Sequence, residues 1–350
     1  MTIQPDYVKE ELLHELSESF RMHNQLPPDL FTRYRIKRGL RNADGTGVLV
    51  GASHLGNVHG YILNEGEREP IEGRLTYRGY NVYDLIHGLE QENRFGFEET
   101  AYLLLFSSLP DKKELQRFEK MLAEFRSLPK SFVRDMIMKA PGRDVMNILS
   151  RCVLALYTYD DDPDNISTEN VLRQCLHLIA AFPMLAVYSY QSYQHFHCGQ
   201  SLVIHRPEKG LSTAENTLRM LRITGEYSPL EAKLLDLALV LHAEHGGGNN
   251  STFTTRVMSS ADTDPYSVYA AAICSLKGKK HGGANHQVRA MQADIKQHVS
   301  NWEDDDEVAD YLAKIVNKQA YDKSGLVYGM GHAVYTLSDP RAIIDRKSVV

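Results

Sequence analysis

The chain has 350 residues, of which 43% are hydrophobic and 24% are charged, and its formal net charge at pH 7 is −6. This length allows a large buried core, and the acidic balance argues against a nucleic-acid-binding protein, which needs a basic face for phosphate. The four cysteines form no C-x-x-C pair and predict reduced thiols. The N-terminal residues lack the apolar core of a signal peptide, and no apolar run approaches the ~18 residues of a membrane span. We therefore expect a cytoplasmic protein without nucleic-acid or membrane partners.

Short β-strands are expected only near the N-terminus. Between Arg33 and Tyr80, the segments NADGTGVLVG (42–51) and NVHGYILNEG (57–66) contain β-forming residues bounded by Asp-Gly and Gly turns. NADGTG is a weak candidate for a phosphate-binding loop, because no predicted helix follows it directly, and a hairpin turn is the better interpretation. No alternation of strands and helices follows, which argues against a parallel α/β sheet.

Helical spacing of apolar residues dominates the remaining sequence. The predicted helices cover residues 7–23, 97–110, 113–129, 144–160 and 229–245. Residues 168–193 are apolar nearly all round, and they predict a buried central helix that is broken or kinked at Pro183. The predicted fold class is therefore all-α, with a few short strands near the N-terminus.

The segment LHAEHGGGNN (241–250) carries the first candidate functional residues. If the preceding helix continues through it, His242 and His245 share one helix face. Paired imidazoles on a helix can bind zinc, but the zinc-hydrolase helix has the spacing H-E-x-x-H, which H-A-E-H lacks. The glycines that follow leave bare backbone that a ligand can approach closely. From this segment alone, a metal site, a substrate site and a packing role all stay open.

Two further segments place a histidine beside glycines. KGKKHGGANHQV (277–288) has His281 directly before a predicted helix, and a helix N-terminus favours a neutral imidazole that donates a hydrogen bond. VYGMGHAVYTLSDPRA (327–342) has His332 and, nine positions later, Arg341, whose guanidinium is the preferred partner of a carboxylate. Three histidines beside glycines, together with an arginine, predict a site for an anionic substrate that carries a carbonyl.

These three segments, in this order, resemble the signature segments of the citrate synthase family, and GRLTYRGYNVYDL (73–85) is similar to a motif nearer the N-terminus of that family. The resemblance covers about residues 33–345. It implies an enzyme of the tricarboxylic acid cycle that joins acetyl-CoA, its co-substrate, to oxaloacetate and releases citrate and CoA. It also implies a homodimer without a permanently bound cofactor or metal. The all-α fold would have a large domain (1–280) and a small domain (281–350) that close over the substrates.

The resemblance assigns roles to individual residues. His281 is expected to donate a hydrogen bond to the thioester carbonyl, and His332 to polarise the ketone of oxaloacetate and protonate the forming alkoxide. His245 and Arg341 are expected to bind the oxaloacetate dianion, with His242 as a weaker candidate. The backbone amides expected to line the coenzyme A channel are those of Gly329, Met330 and Gly331.

Two features depart from the family's pattern. Many relatives carry a basic residue for the coenzyme A phosphate four positions after the histidine of the third segment, where this chain has Thr336. The family's catalytic aspartate, which takes the methyl proton, lies well beyond the D-P-R step, and neither Asp339 nor Asp345 matches it. We therefore expect a truncated chain, and we expect residues 1–350 to form no appreciable citrate.

Three alternatives to this function stay open. A 2-methylcitrate synthase would use propionyl-CoA with the same residues, and a catalytically inactive homologue would bind only a dicarboxylate or coenzyme A. A zinc hydrolase would need His242 and His245 as metal ligands. A second candidate metal cluster has no ligand pair at zinc spacing, and it consists of His195, His197, Cys198 and His205.

Overall fold

The computed structural model describes residues 33, 54–65, 67–332 and 334–349. The predicted helix at 7–23 and the turn at 42–47 lie outside these residues. The chain divides into two compact units, residues 1–49 and residues 50–350, and the strands and helices given below all belong to the second unit. The predicted domain boundary at 280/281 falls within that unit and stays a prediction.

An antiparallel sheet of three strands opens the described part of the second unit. The strands are β1 (Gly56–Asn64), β2 (Glu67–Tyr77) and β3 (Tyr80–Asn81), and they lie in that order across the sheet. The β1–β2 register pairs the ends of the two strands, as in a hairpin, and it shifts between His59 and Tyr61. The strands therefore lie in the region where the sequence predicts them.

The rest of the described chain is mainly α-helical, as predicted. The helices are α1 (Val82–Gln91), α2 (Phe97–Phe106), α3 (Lys112–Phe125), α4 (Val145–Leu156), α5 (Thr168–Cys198), α6 (Thr213–Leu221), α7 (Pro229–Leu241), α8 (Asn250–Ser259), α9 (Pro265–Leu276), α10 (Ala284–His298), α11 (Asp305–Val316) and α12 (Pro340–Val349). Capping boxes fix the starts of α3, α6 and α7, where an Asp or Ser side chain and a Glu three residues later satisfy each other's backbone amides.

The central helix α5 bears on two expectations. It is one continuous helix that runs through Pro183, so the predicted break there is wrong, and the alternative of a kink stays a prediction. The expectation that no stretch has the apolarity of a membrane span is also wrong for this helix. An 18-residue window of α5 has a mean hydropathy of 1.5. By length and composition alone, this helix is long and apolar enough to cross a membrane. Half of that window is buried inside the protein, and burial in a core produces the same pattern.

Four hydrophobic cores organise the described helices, and one of them lies between α3 and α5. The largest lies where α4, α5 and α9 pack together, and it contains Ile148, Leu185 and Tyr266. A second core joins β2 to α1, α7 and α12. A third lies between α10 and α11 and the segment that follows α11. The second core positions the candidate site, because α7 ends shortly before His245 and α12 begins beside Arg341.

Candidate active site

The first histidine segment begins where α7 ends. The helix stops at Leu241, earlier than predicted, and His242 is its C-cap residue with a backbone conformation of φ −98° and ψ 0°. The Nδ1 atom of His242 lies 2.7 Å from the carbonyl oxygen of Ala238. The prediction that His242 and His245 share one helix face is therefore wrong, because the side chain of His242 bonds to the helix's own last turn and the chain then leaves the helix.

The glycines after His245 form an ordered loop. Gly246 has φ +79°, a left-handed conformation that favours glycine, and a Cβ atom there would lie 3.1 Å from Cγ2 of Val58 on β1. The carboxylate of Glu244 accepts a hydrogen bond from the amide of Gly246. Asn249 caps α8 by accepting from the amide of Thr252, and its side-chain amide donates to the carbonyl of Gly246 at 3.0 Å. The loop therefore carries the chain from His245 directly into the first turn of α8.

His245 meets the third histidine segment through its ring. The rings of His245 and His332 are 4.9 Å apart between centroids and nearly perpendicular, at 87°. Tyr335 stacks on His332 at 4.8 Å and 29°, and its ring edge also approaches His245 at 5.8 Å. Tyr335 is only 4% exposed, and its hydroxyl donates to the carbonyl of Arg74 on β2 at 3.4 Å. The two predicted substrate histidines therefore belong to one aromatic cluster.

The loop after His332 fixes the protonation of its ring. The Nδ1 atom of His332 accepts hydrogen bonds from the backbone amides of Val334, at 3.1 Å, and Tyr335, at 3.0 Å. A ring nitrogen that accepts carries no proton, so the neutral ring holds its proton on Nε2. This tautomer follows from the hydrogen-bond network, and it makes Nε2–H the donor that a substrate oxygen would meet.

Arg341 lies at the start of α12, in the D-P-R segment. Its Nε and Nη2 atoms donate to the two carboxylate oxygens of Asp339, at 3.1 and 2.7 Å, and its backbone amide donates to Asp339 Oδ1 at 2.9 Å. Burial raises the pKa of Asp339, but the hydrogen bonds and the charge of Arg341 outweigh it, so that pKa lies below its ordinary value. A carboxylate therefore already occupies the predicted carboxylate fork.

The electrostatics around His245 keep its imidazole neutral. Burial, followed by the nearby positive charge of Arg341, lowers the pKa of His245 from 6.5 to about 4. The Nε2 atom of His245 is buried and has no hydrogen-bond partner among the described residues. Buried polar atoms are usually satisfied, so this nitrogen is a candidate contact for a bound oxygen atom.

His281 is held by a residue that directly follows the first histidine segment. It lies in the turn before α10, as predicted, with its backbone amide bonded to the carbonyl of Gly278 at 2.9 Å. Its Nε2 atom lies 2.7 Å from the hydroxyl oxygen of Ser251, in the first turn of α8. Ser251 follows His245 by only six residues, so the glycine loop links the second histidine segment to the first.

The β-hairpin supports the segment that carries Asp339 and Arg341. The amide of Gly73 donates to the hydroxyl oxygen of Ser338 at 3.0 Å. A Cβ atom at Gly73 would lie 2.1 Å from the carbonyl oxygen of Ser338, and one at Gly60 would lie 2.4 Å from that of Val334. The backbone of the 334–338 loop thus rests directly against the two strands at positions where a side chain would not fit.

The remaining predicted positions lie away from these contacts. His242 is exposed and borders an apolar cavity of about 650 Å³ that is also lined by Ser251. Gly329 and Gly331 both have positive φ, and the amide of Met330, whose side chain is 77% exposed, donates to the carbonyl of Val327 at 3.2 Å. The expectation that these amides line a coenzyme A channel stays a prediction, and the Met330 amide already has an internal acceptor.

The alternative metal clusters gain no support from the described side chains. His195 Nδ1 lies 2.8 Å from the carbonyl oxygen of Gln200, and His205 Nε2 lies 2.9 Å from that of Ile223. Within the part of the chain that the structure describes, no group of three or more His, Cys, Asp or Glu side chains is placed to hold a metal ion. These histidines satisfy backbone carbonyls instead.

Comparison with known proteins identifies the family to which this mainly helical fold and its histidine and arginine cluster belong. The family model for the C-terminal domain of citrate synthase matches residues 45–349. The chain is 34% identical over 314 residues to the citrate synthase of Haloferax volcanii, and this alignment covers 88% of the chain and 72% of the relative. The chain belongs to the citrate synthase family.

Other relatives mark the range of that family. A 2-methylcitrate synthase of Corynebacterium glutamicum is 31% identical over 285 residues, with 80% of this chain and 68% of the relative covered. The solved citrate synthase of Pyrobaculum aerophilum superposes with a TM-score of 0.68 at 27% identity, covering 89% of this chain and 72% of that one. Coverage of the curated relatives falls below two thirds in some cases, such as 62% of the citrate synthase of a Synechocystis strain.

A third solved structure shares the fold. It is the citrate synthase of Thermoplasma acidophilum in a ternary complex with carboxymethyl coenzyme A and oxaloacetate, with a TM-score of 0.65 at 22% identity. It covers 84% of this chain and 68% of its own. At this identity the likeness concerns the fold.

Proposed function

We propose that the protein is a citrate synthase-type acyltransferase whose site binds oxaloacetate and joins it to the acetyl group of acetyl-CoA. The observation that carries this proposal is the convergence of two segments that lie about ninety residues apart in the chain. His245 from one and His332 from the other are in ring contact, and Arg341 is close enough to lower the pKa of His245. A cation beside two neutral imidazoles suits a dicarboxylate with a ketone between its carboxyl groups.

The chemistry assigns one task to each side chain. The Nε2–H of His332 donates to the ketone oxygen of oxaloacetate and stabilises the alkoxide that forms when the new carbon–carbon bond closes. His281 donates to the thioester carbonyl, where the enol or enolate develops its charge, and Ser251 fixes the orientation of its ring. His245 and Arg341 bind the dianion. The expectation that this chain lacks the family's aspartate for the removal of the methyl proton stays a prediction.

The acyl substrate is the finer question. The chain is related both to citrate synthases and to 2-methylcitrate synthases, at 34% and 31% identity, and both activities need the same charged groups. We propose acetyl-CoA as the acyl donor and a 2-methylcitrate synthase as the second candidate. Thiol release measured with acetyl-CoA and with propionyl-CoA, at equal concentrations and with oxaloacetate, decides between them.

The binding half of the proposal is tested by calorimetric titration of oxaloacetate into residues 1–350. We expect weak but specific binding that Arg341→Ala reduces about tenfold or more, because the substitution removes charge-assisted hydrogen bonds worth roughly 1.5–3 kcal/mol. Arg222→Ala is the matched control, because Arg222 also pairs with a carboxylate, that of Glu231, but on the exposed surface. If oxaloacetate gives no binding heat with the unsubstituted chain, the proposal fails.

The catalytic half is tested with protein expressed from the complete reading frame of its gene. Citrate and free thiol should appear together when acetyl-CoA and oxaloacetate are supplied. Oxaloacetate binding without thiol release from either acyl donor would favour the inactive homologue. The prediction from the sequence, that residues 1–350 form no appreciable citrate, is tested by the same assay on that chain.

A homodimer in the cytoplasm is the proposed state of the protein. Helices α4, α9 and α8 pack against one another in that order, and they carry the exposed apolar side chains Leu154 (50%), Phe253 (40%) and Val257 (51%). Exposed apolar residues on neighbouring helices suit an interface with a second copy. Light scattering after size exclusion should give twice the chain mass, and Val257→Asp should shift it towards the single chain mass.

A further inference from the structure

We propose that the Asp339 carboxylate competes with the substrate's carboxylate for the Arg341 guanidinium, so that a dicarboxylate binds this fork only by displacing Asp339. This inference rests on the proposed function, because it concerns the same site. It assigns to Asp339 a positioning role that lowers the affinity for the substrate and keeps the arginine ordered until the substrate arrives.

The geometry of the pair supports the competition. Arg341 offers Nε and Nη2 as two donors in one plane, and Asp339 accepts both, at 3.1 and 2.7 Å. This is the bidentate arrangement that arginine forms with any carboxylate. The two side chains are each 23% exposed, so a ligand can reach them from the solvent. A substrate carboxylate in the same plane would need the same two donors.

Capping of α12 does not explain the charge of Asp339. Its Oδ1 atom accepts from the amide of Arg341 and its carbonyl accepts from the amide of Ile343, so it is an N-cap residue. Asparagine serves equally well at this position in helices generally, and Asn81 and Asn249 cap α1 and α8 in this protein. The negative charge is therefore an addition to the cap, and its partner is the fork.

The charges in the cluster give the competition its direction. Asp339 neutralises Arg341, and His245 is neutral above about pH 4, so this group as a whole offers no net positive charge to a dianion. Displacement of Asp339 frees the guanidinium. Because the internal carboxylate is tethered two residues away, it competes at a high effective concentration. A partly exposed ion pair is nevertheless weak enough for a dicarboxylate to replace it.

The test is calorimetric titration of oxaloacetate into residues 1–350 carrying Asp339→Asn. The amide keeps the N-cap but binds the guanidinium less strongly, and we expect oxaloacetate to bind about three- to tenfold more tightly than to the unsubstituted chain. Asp304→Asn is the matched control, because Asp304 caps α11 in the same way and makes no ion pair with an arginine among the described residues. It should leave the affinity unchanged.

A second background separates competition from simple repulsion between negative charges. Lysine keeps the positive charge at 341 but cannot form the fork. If Asp339 competes for the fork, the gain from Asp339→Asn shrinks to less than half in the Arg341→Lys background. An equal gain in both backgrounds overturns the proposal in favour of long-range repulsion. Should Asp339→Asn unfold the chain, Asp339→Ser, which also caps helices, is titrated in its place.

The remaining outcomes separate this inference from the proposed function. Tighter oxaloacetate binding by Asp339→Asn, without citrate formation by the complete protein, supports the inference and contradicts the proposed function. Citrate formation combined with unchanged or weaker binding by Asp339→Asn does the opposite. If oxaloacetate binds neither the unsubstituted chain nor the Asp339→Asn variant, the inference and the proposed function are both overturned.

Discussion

The two histidines to which we assign proton donation, His332 and His281, have contrasting surroundings. His332 lies in a cluster of rings beside an ion pair, and the loop that follows it rests on a β-hairpin more than 250 residues earlier in the chain. His281 lies in a short local turn, and its imidazole is held by one hydrogen bond from Ser251. The dicarboxylate side of the site therefore depends on long-range packing, whereas the thioester side depends on one polar contact.

This difference separates binding from turnover. Packing around His332, Tyr335 and Arg341 should control the affinity for oxaloacetate, since these residues lie together in the proposed dicarboxylate site. The Ser251–His281 contact should control the condensation rate with little effect on that affinity. Substitutions on one side should thus leave the property of the other side unchanged, and each prediction below tests one consequence of this separation.

The largest effect is expected from His281→Ala. Loss of the donor to the thioester should lower the condensation rate of the complete protein on the order of 10²–10³-fold. Calorimetry should show unchanged oxaloacetate affinity, because the dicarboxylate contacts stay in place. If this variant kept its turnover but lost oxaloacetate binding, the roles assigned to His281 and His332 would be wrong.

Gly73→Ala tests the long-range support of the dicarboxylate side. The new Cβ atom would lie 2.1 Å from the Ser338 carbonyl oxygen, and relief of this clash should cost about 1–3 kcal/mol of the free energy of unfolding. Oxaloacetate affinity should fall as well. Urea unfolding and calorimetry measure both. Gly88→Ala is the control, because Gly88 lies within α1 with open space around its Cα, and that variant should be as stable as the parent or more so.

Ser251→Ala tests the local contact. Removal of one hydrogen bond, worth roughly 0.5–1.5 kcal/mol, should lower the condensation rate about tenfold or less and leave the oxaloacetate affinity unchanged. Ser251→Thr keeps the hydroxyl and should restore most of the rate. Ser259→Ala, at the other end of α8, controls for changes in the helix. A fall in oxaloacetate affinity equal to the fall in rate would show that the two sides are not separate.

The smallest effect concerns pH. The pKa of His245 is about 4 in the folded protein and 6.5 ordinarily, so the unfolded chain binds a proton there as the pH falls below 6.5 while the folded protein does not. This difference lowers the stability of the folded state progressively between pH 6.5 and 4, by about 1 kcal/mol or less from pH 7 to 5.5 once solvent screening of this partly exposed side chain is included. His245→Asn should flatten the change in Tm over this interval, measured by circular dichroism. The control is His286→Asn, at an exposed position on α10.

The sequence predicted those parts of the site that glycines and turn residues mark within a single segment. The hairpin region and the turn before α10 were both apparent from spacing and turn residues. The end of α7 was not, because the bond between His242 and Ala238 and the left-handed Gly246 end the helix where apolar periodicity alone would extend it. Local patterns therefore located the segments but not every boundary.

The contacts between segments were beyond local patterns. No local pattern marked Ser251, because its bond to His281 requires α8 and the turn before α10 to pack together. No sequence motif singled out Tyr335 as part of the site. Asp339 did carry a signal, since a carboxylate two residues before an arginine can reach its guanidinium, but local spacing alone does not favour this partner over a substrate.

The contacts between the hairpin and the 334–338 loop also have a consequence for the time at which parts of the protein can fold during synthesis. Gly73 and Ser338 are 265 residues apart, so at about 5–20 residues per second the strands leave the ribosome tens of seconds before their partner loop exists. Through that interval the faces of Gly60 and Gly73 lack the backbone that later covers them. The helices between them can fold as they emerge, whereas the contacts between the hairpin and the 334–338 loop form only after Ser338 has been synthesised.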